Sequence, residues 1–295
     1  MKKKILYIIN PFSGSSKKNN LEQIIGSETD KSRFELFIKH TEYAGHGKEL
    51  ARQAIEDKLD IVVAVGGDGT INEISSQLIN TDIVFAIIPK GSGNGLARFL
   101  NIPLDEKKAV RLINKMNVLT IDSIKLNDLH YVNMAGIGFD AHIAKLFSTF
   151  GKRGFKSYVK LVYKEYKKYK SQNYLLTIDG KQIEQQAFVI SFANSSQFGN
   201  NAHIAPLAKI NDGLIDLCIL KAFPAYKAIS LVYQLYTKRL PKSRYYKVHK
   251  AKHIQVKSET ELLAHIDGEP IKLGNNLDIK ILPKSLKIIC PLQQG

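Results

Sequence analysis

The chain has 295 residues, carries 43 Lys and Arg against 27 Asp and Glu for a formal net charge of +16, and is 44% apolar. This is enough material for a packed core in two domains, and the ordinary apolar fraction excludes wholesale disorder. No apolar run approaches the roughly 18 residues that span a bilayer, and Ile5–Ile9 is too short for a signal peptide. We therefore expect a soluble protein, and the two cysteines, Cys218 and Cys290, favour a reduced, cytoplasmic one.

The first 120 residues alternate apolar runs with amphipathic segments. Strands are predicted at Ile5–Ile9, Phe34–Lys39, Ile61–Val65 and Val84–Ile88, and helices near Asn20–Ile25, His46–Lys58 and Ile71–Leu78. Strands that alternate with helices at this spacing are typical of a parallel sheet with helices on both faces. We therefore predict an α/β domain over residues 1–122.

Beyond residue 120 the predicted strands follow one another more closely. They are Thr120–Lys125, Tyr131–Ala135, Tyr174–Ile178, Phe188–Ala193, Ile215–Leu220, His253–Val256, Leu262–Ile266, Leu277–Ile281 and Ser285–Ile289. Short strands joined by Asp-Gly turns are typical of an antiparallel sandwich. We predict a β-rich second domain over residues 123–283, with helical inserts at about Ala141–Lys170 and Ala225–Leu240, and a last segment, about 284–295, that packs back onto the first domain.

The sharpest local signal is Gly66-Gly67-Asp68-Gly69-Thr70, directly after a buried strand. Glycines at this position let backbone N–H groups cradle an anion at the start of the next helix. An acidic residue among such groups would repel a phosphate unless a divalent cation bridged the two, so Asp68 indicates Mg²⁺ and a nucleoside triphosphate. The simpler interpretation is a glycine turn with Asp68 as the helix N-cap.

Two further loops follow predicted strands of the same domain, Asn10-Pro11-Phe12-Ser13-Gly14 and Gly91-Ser92-Gly93-Asn94-Gly95. Because the carboxyl ends of parallel strands meet at one edge of a sheet, all three loops are predicted to face one ligand. The pattern matches neither a Walker A loop nor a dinucleotide-binding fingerprint.

Taken together, these segments resemble the diacylglycerol kinase catalytic domain, a superfamily that includes bacterial lipid kinases, sphingosine kinases and ceramide kinases. The resemblance extends over almost the whole chain. Its segments are Asn10–Gly14, Thr41 with Gly45-His46, Gly66–Thr70 with Asn72-Glu73, Gly91–Arg98, Gly136–Asp140, Pro206–Ala208, Asp212–Asp216 and His265–Glu269. The shared Gly-Gly-Asp-Gly core alone also occurs in NAD kinases and phosphofructokinases.

The resemblance implies an ATP- and Mg²⁺-dependent lipid kinase that phosphorylates a lipid hydroxyl in a cleft between a nucleotide-binding domain and a β-rich domain. The positions it assigns to the nucleotide are Asn10, Pro11, Ser13, Gly14, Thr41, Gly66, Gly67, Asp68, Gly69, Thr70, Asn72, Glu73, Gly91, Ser92, Gly93 and Asn94. Asp68 is then the Mg²⁺-linked carboxylate, with Glu73 and Asp122 as candidates for its support.

The Asp267-Gly268-Glu269 segment is predicted to carry the catalytic base. Phosphoryl transfer to an alcohol needs a carboxylate that orients the hydroxyl and accepts its proton. An isolated Asp-Gly-Glu is usually a surface turn, but the family resemblance places the base here. We assign it to Asp267, with Glu269 as the alternative.

The resemblance also implies a structural Mg²⁺ held by Lys209, Asp212 and Leu214, since oxygen ligands on a tight turn suit a hard cation. A plain Asn211-Asp212-Gly213 hairpin turn is equally compatible. One position departs from the bacterial diacylglycerol kinase pattern, because Gly95 stands where many members have Asp. This leaves a diacylglycerol or a sphingoid-like acceptor open.

Two basic segments predict contact with an anionic membrane as a peripheral protein at the inner face. The first runs from Lys152 to Lys170 with interleaved tyrosines, and the second from Lys238 to Lys252. A solvated helix with core-facing tyrosines is the alternative for the first segment. Basic stripes with aromatics also fit a non-enzymatic nucleic-acid binder, although nucleic acid is not the expected partner, and NAD kinase is the rival enzyme. A homodimer is left open.

Overall fold

A computed structural model describes residues 2–14, 20–149 and 155–292 of the chain. It contains two compact units, Met1–Ser123 with Pro283–Gly295, and Ile124–Leu282. The predicted fold class is confirmed, because the first unit is an α/β domain with a parallel sheet and the second is an antiparallel β sandwich. No helix in the described part of the chain is long and apolar enough to cross a membrane.

The first unit is built on four parallel strands in the order β2-β1-β3-β4. The strands are β1 (Lys3–Ile9), β2 (Phe34–His40), β3 (Ile61–Gly66) and β4 (Val84–Pro89), and the helices are α1 (Leu21–Glu28), α2 (His46–Glu56), α3 (Asp68–Leu78), α4 (Gly95–Phe99) and α5 (Glu106–Lys115). Every residue of β3 is buried, as expected of a central strand covered on both faces. Lys287 and Ile288, near the carboxyl end of the chain, pair in parallel with β4.

The second unit contains a six-stranded sheet in the order β12-β11-β10-β7-β14-β15 and a second set of antiparallel strands. The strands from residue 118 onward are β5 (Val118–Leu126), β6 (Leu129–Tyr131), β7 (Met134–Gly138), β8 (Gln172–Ile178), β9 (Lys181–Ala187), β10 (Val189–Ala193), β11 (Ile215–Leu220), β12 (Tyr246–Ala251), β13 (His253–Lys257), β14 (Leu262–Ile266), β15 (Glu269–Leu273) and β16 (Asn276–Ile289). The first residues of β5 and the last residues of β16 belong to the first unit. Inward-facing side chains such as Phe192, Leu217, Ile254 and Ile279 form one core between the two layers.

Several predicted boundaries are wrong. The predicted strand Tyr131–Ala135 is interrupted at Val132-Asn133, so that β6 and β7 are separate. The last two predicted strands are one continuous strand, β16. Helix α5 and strands β9, β12 and β15 were not predicted. The polar strand β9 exposes much of its surface and carries no apolar run.

The two predicted helical inserts contain three α-helices, α6 (Phe139–Thr149), α7 (Phe155–Tyr166) and α8 (Ala228–Tyr236). On α7 and just beyond it, Tyr166 and Tyr169 pack into an aromatic cluster with Phe139 and Phe188. These two tyrosines therefore face the core. Lys152 and Arg153 of the first predicted basic segment lie outside the described residues.

Candidate functional site

The three predicted loops of the first unit follow the neighbouring strands β1, β3 and β4. The backbone N–H of Asn10 donates to the carbonyl of Val65 at 2.9 Å, and that of Lys90 donates to the carbonyl of Gly66 at 2.7 Å. These bonds align the ends of the three strands. The chain therefore leaves all three strands at the same edge of the sheet.

Asp68 joins the second loop to the third. Gly67 is the N-cap of α3 and Asp68 is its first helical residue, so the carboxylate does not cap its own helix. Its two oxygens instead accept hydrogen bonds from the backbone N–H groups of Asn94 at 2.9 Å and Gly95 at 2.8 Å. Burial raises the pKa of Asp68, and those N–H groups and the charge of Arg98 lower it by less.

Asn94 holds the third loop in shape. Its Oδ1 accepts from the backbone N–H of Gly91 at 2.8 Å, and its Nδ2 donates to the carbonyl of Gly91 at 2.7 Å. A Cβ at Gly91 would lie 2.7 Å from the Cα of Gly67, closer than a Cβ atom approaches other heavy atoms in proteins. The second and third loops thus touch backbone to backbone, which a larger residue at Gly91 would prevent.

The first loop is attached to the second by side chains. Asn10 Nδ2 donates to Thr70 Oγ1 at 2.8 Å, and Ser13 Oγ accepts from the backbone N–H of Gly67 at 3.3 Å. A Cβ at Gly66 would lie 2.5 Å from the Cβ of Thr70. The structure therefore brings together Asn10, Ser13, Thr70 and the two glycines.

The remaining predicted nucleotide positions lie around this group. The backbone N–H of Thr41 donates to Ile9 at 2.9 Å at the end of β2. Glu73 Oε1 accepts from the backbone N–H of Gly45 at 3.0 Å. In the described part of the chain Asn72 Oδ1 is buried without a hydrogen-bond partner, so its predicted role in ligand binding stays a prediction.

Asp122 lies in the same unit, where its Oδ1 accepts from the backbone N–H of Lys284 at 2.7 Å. Lys284 has a positive φ of 51°. The carboxylate is nearly inaccessible, with 1% of the residue exposed, and it holds the backbone of β16 at Lys284. Its predicted support of Asp68 stays a prediction.

In the second unit Asp267 and Gly268 form a two-residue hairpin turn between β14 and β15. Both have positive φ, 51° and 85°, as the tight turns of hairpins require. The backbone N–H of Asp267 donates to the carbonyl of Met134 at 3.0 Å, and Asp267 Oδ1 accepts from the N–H of Met134 at 3.0 Å. Asp267 is therefore fixed by a reciprocal pair of bonds, whereas Glu269 is exposed at the start of β15.

His265 and Asp140 form a buried pair beside this turn that the sequence did not predict. His265 Nδ1 accepts from the backbone N–H of Gly268 at 3.3 Å, and Nε2 lies 3.1 Å from Asp140 Oδ2. Because Nδ1 accepts, the proton of the neutral ring is on Nε2 and points at Asp140. The two residues are 125 positions apart, and the histidine orients both the turn and the carboxylate.

The loop of the predicted structural Mg²⁺ already has a cation. Lys250 Nζ lies 2.6 Å from Asp212 Oδ2 and 3.8 Å from Asp216 Oδ2, and Asp212 Oδ1 accepts from the backbone N–H of Leu214 at 3.2 Å. A divalent ion on Asp212 would have to displace the ammonium group. The residues as placed therefore do not fit the ion predicted at Lys209, Asp212 and Leu214.

Elsewhere in the described residues, no group of three or more His, Cys, Asp or Glu side chains lies together as a metal site. Asp68 is different from Asp212, since its partners are neutral N–H groups and each oxygen keeps a lone pair. A desolvated carboxylate of this kind is a hard oxygen ligand that a Mg²⁺ ion would stabilise. The Asp68 site therefore fits the predicted cation.

Comparison with known proteins places both units in one family. A family model described as the diacylglycerol kinase catalytic domain matches residues 4–126. A second, described as the YegS C-terminal NAD kinase beta sandwich-like domain, matches residues 133–290. The two matches cover the two units almost completely.

Individual proteins agree with these matches. The chain is 31% identical over 267 residues to "Probable lipid kinase YegS-like" of Chromohalobacter salexigens, covering 87% of this chain and 84% of the relative. It is 27% identical over 292 residues to "Diacylglycerol kinase" of Staphylococcus saprophyticus, covering 95% and 94%. The crystal structure of a diacylglycerol kinase from Bacillus anthracis has the same fold, with a TM-score of 0.74 at 23% identity over 98% of this chain and 97% of that one. The chain belongs to the diacylglycerol kinase catalytic-domain family of lipid kinases, with a YegS-type second domain.

Proposed function

We propose that the protein transfers the γ-phosphate of ATP, with Mg²⁺, to the hydroxyl group of a lipid. The observation that carries the proposal is the set of three loops braced around Asp68 in a chain of the lipid kinase family. Backbone N–H groups at the start of an 11-residue helix, α3, favour phosphate oxygens through the helix dipole. Mg²⁺, when bound, would neutralise charge on the transferred phosphoryl group.

The residues of the first unit bind and orient the nucleotide in this proposal. Gly66, Gly67 and Gly91 allow the loops to lie close together. Because glycine has no side chain, phosphate oxygens could approach the backbone N–H groups of these loops. Asp68 would hold the cation, and its two bonds to the third loop keep it in place before the nucleotide arrives. Such preorganisation removes the free-energy cost of ordering the site during the reaction.

Asp267 is the proposed general base in the second unit. The N–H of Met134 donates to one carboxylate oxygen of Asp267, and the backbone N–H of Asp267 donates to the carbonyl of Met134, so the carboxylate has a fixed position. A fixed carboxylate can take the proton of the acceptor hydroxyl as the hydroxyl oxygen attacks the γ-phosphorus atom, while the bond from that phosphorus to the β–γ bridging oxygen breaks and ADP leaves. Glu269, which is exposed at the start of β15, is the alternative base.

We also propose that the reaction takes place at an anionic membrane surface on the cytoplasmic side. The net charge of +16 attracts such a surface, and a lipid acceptor must be collected from it. Diacylglycerol and sphingoid-like acceptors are both retained in this proposal.

The proposal is tested by phosphate transfer from labelled ATP with Mg²⁺ to a panel of acceptors in anionic micelles. The panel contains diacylglycerol, sphingosine, ceramide, phosphatidylglycerol and undecaprenol, with NAD as a soluble acceptor. We expect label on one lipid and none on NAD. Label on NAD alone would identify a soluble NAD kinase, and the absence of label on every acceptor would contradict the proposal.

A further inference from the structure

Helix α8 and the single helical turn before it expose an apolar face that has no partner among the described residues. The exposed side chains are Tyr226 (73%), Ile229 (84%), Val232 (53%), Tyr233 (57%) and Tyr236 (38%). Their spacing of three and four residues places them on one side of the helix. We call this face the apolar stripe.

The opposite side of α8 is packed in the second unit. Leu231 is buried and Leu235 partly buried in a cluster with Ile204, Leu240 and Tyr246. The helix is therefore anchored, and the apolar stripe is a fixed feature of the surface. Large aliphatic residues such as Ile229 and Val232 remain exposed in a row when they serve a contact with an apolar medium or a partner.

The chain around α8 is strongly basic. Residues 217–258 include ten Lys and Arg and no Asp or Glu. Lys238 and Arg239 are exposed just beyond the end of α8, and the Lys227 ammonium lies 5.4 Å from the ring centre of Tyr226. The partner that fits this surface has an apolar interior and an anionic boundary.

We propose that the apolar stripe of α8 is the surface on which the protein docks to an anionic lipid bilayer. Isoleucine and valine would insert among the acyl chains, and the tyrosines would lie at the headgroup level that aromatic residues favour. A nucleic acid offers no apolar medium for Ile229 and Val232. A second copy of this chain would bring two equally basic surfaces together, which charge repulsion opposes.

The proposal differs from the sequence-based prediction, which gave this role first to the basic segment containing α7. The apolar residues Leu161, Val162 and Tyr166 of α7 pack into the core, and Tyr163 is exposed at 70%. Tyr163 is therefore a matched control for the apolar stripe, because it has similar exposure and basic neighbours on the other helical insert.

The first test is sedimentation with phosphatidylcholine vesicles that contain or lack phosphatidylglycerol, without nucleotide. The combined substitution Ile229→Ser and Val232→Ser should weaken binding to the anionic vesicles about tenfold or more. Tyr163→Ser should leave binding unchanged. Lys238→Gln with Arg239→Gln should also weaken it, by about fivefold per charge at low salt. Unchanged binding of the Ile229 and Val232 variant would overturn the proposal.

A second measurement uses the absence of tryptophan from the sequence. Ile229→Trp introduces one fluorophore into the apolar stripe, and Tyr163→Trp does so on α7. Emission of the first variant should shift to the blue with anionic vesicles and be quenched by brominated lipid chains, while the second should not change. An unshifted Ile229→Trp, or a wild-type dimer that the Ile229 and Val232 variant dissociates, would contradict bilayer docking.

Docking would bring the protein to its lipid acceptor, and only this purpose rests on the proposed function. The docking surface and the proposed function can therefore fail separately. If the wild type binds vesicles through the apolar stripe and phosphorylates no lipid, the function fails and the docking surface stands. The opposite result has two parts. The wild type phosphorylates a lipid dispersed in detergent, and the Ile229 and Val232 variant matches the wild type both in vesicle binding and in turnover at vesicles. The docking surface then fails and the function stands.

Discussion

The buried carboxylates of the two units are held by different kinds of partner. In the first unit Asp68 and Asp122 accept from backbone N–H groups. In the second unit Asp140 faces the ring of His265 and Asp216 faces the ammonium of Lys250. Backbone N–H groups are held in place by the fold, whereas the side chains of histidine and lysine can change rotamer.

The loops of the first unit are therefore held by backbone hydrogen bonds, whereas the carboxylates of the second unit depend on the position of a neighbouring side chain. A loop that is held by hydrogen bonds to backbone groups has its final shape before a ligand binds. Such a loop tolerates few substitutions. The pKa of a carboxyl group that is held by a side chain depends on the charge of that side chain.

Asp68→Ala should have the largest effect, because it removes the proposed cation ligand and both bonds to the third loop. We expect the turnover rate to fall about a thousandfold or more. Asp68→Asn keeps one acceptor oxygen but turns its NH2 group towards the other backbone N–H, so it should recover only part of the thermal stability and none of the turnover. Phosphate transfer gives the turnover rate of both variants, and thermal unfolding gives their stability. Turnover near the wild-type rate in Asp68→Ala would remove Asp68 from the mechanism.

Asp267→Asn should lower the turnover rate about a hundredfold. Asparagine tolerates the positive φ of 51° at this position and still accepts the N–H of Met134, so the hairpin should remain folded. Glu269→Gln is the matched variant, and we expect it to change the rate much less. If the Glu269 variant loses more turnover than the Asp267 variant in the same assay, Glu269 rather than Asp267 is the base.

Gly66→Ala should destabilise the first unit by about 2 kcal/mol, because the new methyl group would meet Thr70, which is itself bonded to Asn10. Gly26→Ala in α1 is the control, since no atom lies within 4 Å of a Cβ there. Alanine at this helical position should be neutral or stabilising. Urea unfolding of both variants measures the difference, and equal stabilities would show that the loop can relax.

The parts of the fold that could be predicted from the sequence are those with strong local signals. The apolar run of β3 followed by Gly66 and Gly67 predicts a buried strand and a tight loop without knowledge of the rest of the chain. Strand β9, with the sequence Lys-Gln-Ile-Glu-Gln-Gln-Ala, pairs with β8 alone in the sheet order. Such an edge strand needs little apolar pattern, so the sequence carries a weak signal for it.

The site likewise contains residues with a strong local signal in the sequence and contacts between distant positions that have none. The residues of the three loops could be predicted because glycines and short polar residues mark the ends of strands. The pairing of His265 with Asp140 could not, since it joins positions 125 residues apart through the alignment of β14 with β7. The contact of Lys250 with Asp212 was missed for the same reason, because β12 was not predicted and the lysine was grouped with the basic surface.

Asp216→Asn should have the smallest effect, and one that depends on pH. Burial raises the pKa of Asp216 to about 6, against the lowering effect of Lys250. A carboxyl group whose folded pKa lies above its unfolded value retains its proton longer in the folded state, so stability falls as pH rises between the two values. The variant has no such loss, and its stability relative to wild type should increase by about 1 kcal/mol from about pH 5 to about pH 7.5.

Asp278→Asn is the control of opposite sign for that measurement. Burial works against the charge of Asp278, but hydrogen bonds from Lys280 and His253 outweigh it and lower the pKa to about 2. The stabilisation that depends on ionisation of Asp278 is complete above the unfolded pKa and is lost only as pH falls towards 2, so titration of Asp278 itself should add no change in relative stability over the same interval. Urea unfolding at the two pH values measures both variants. A constant difference for Asp216→Asn would mean that Lys250 fully compensates the buried charge.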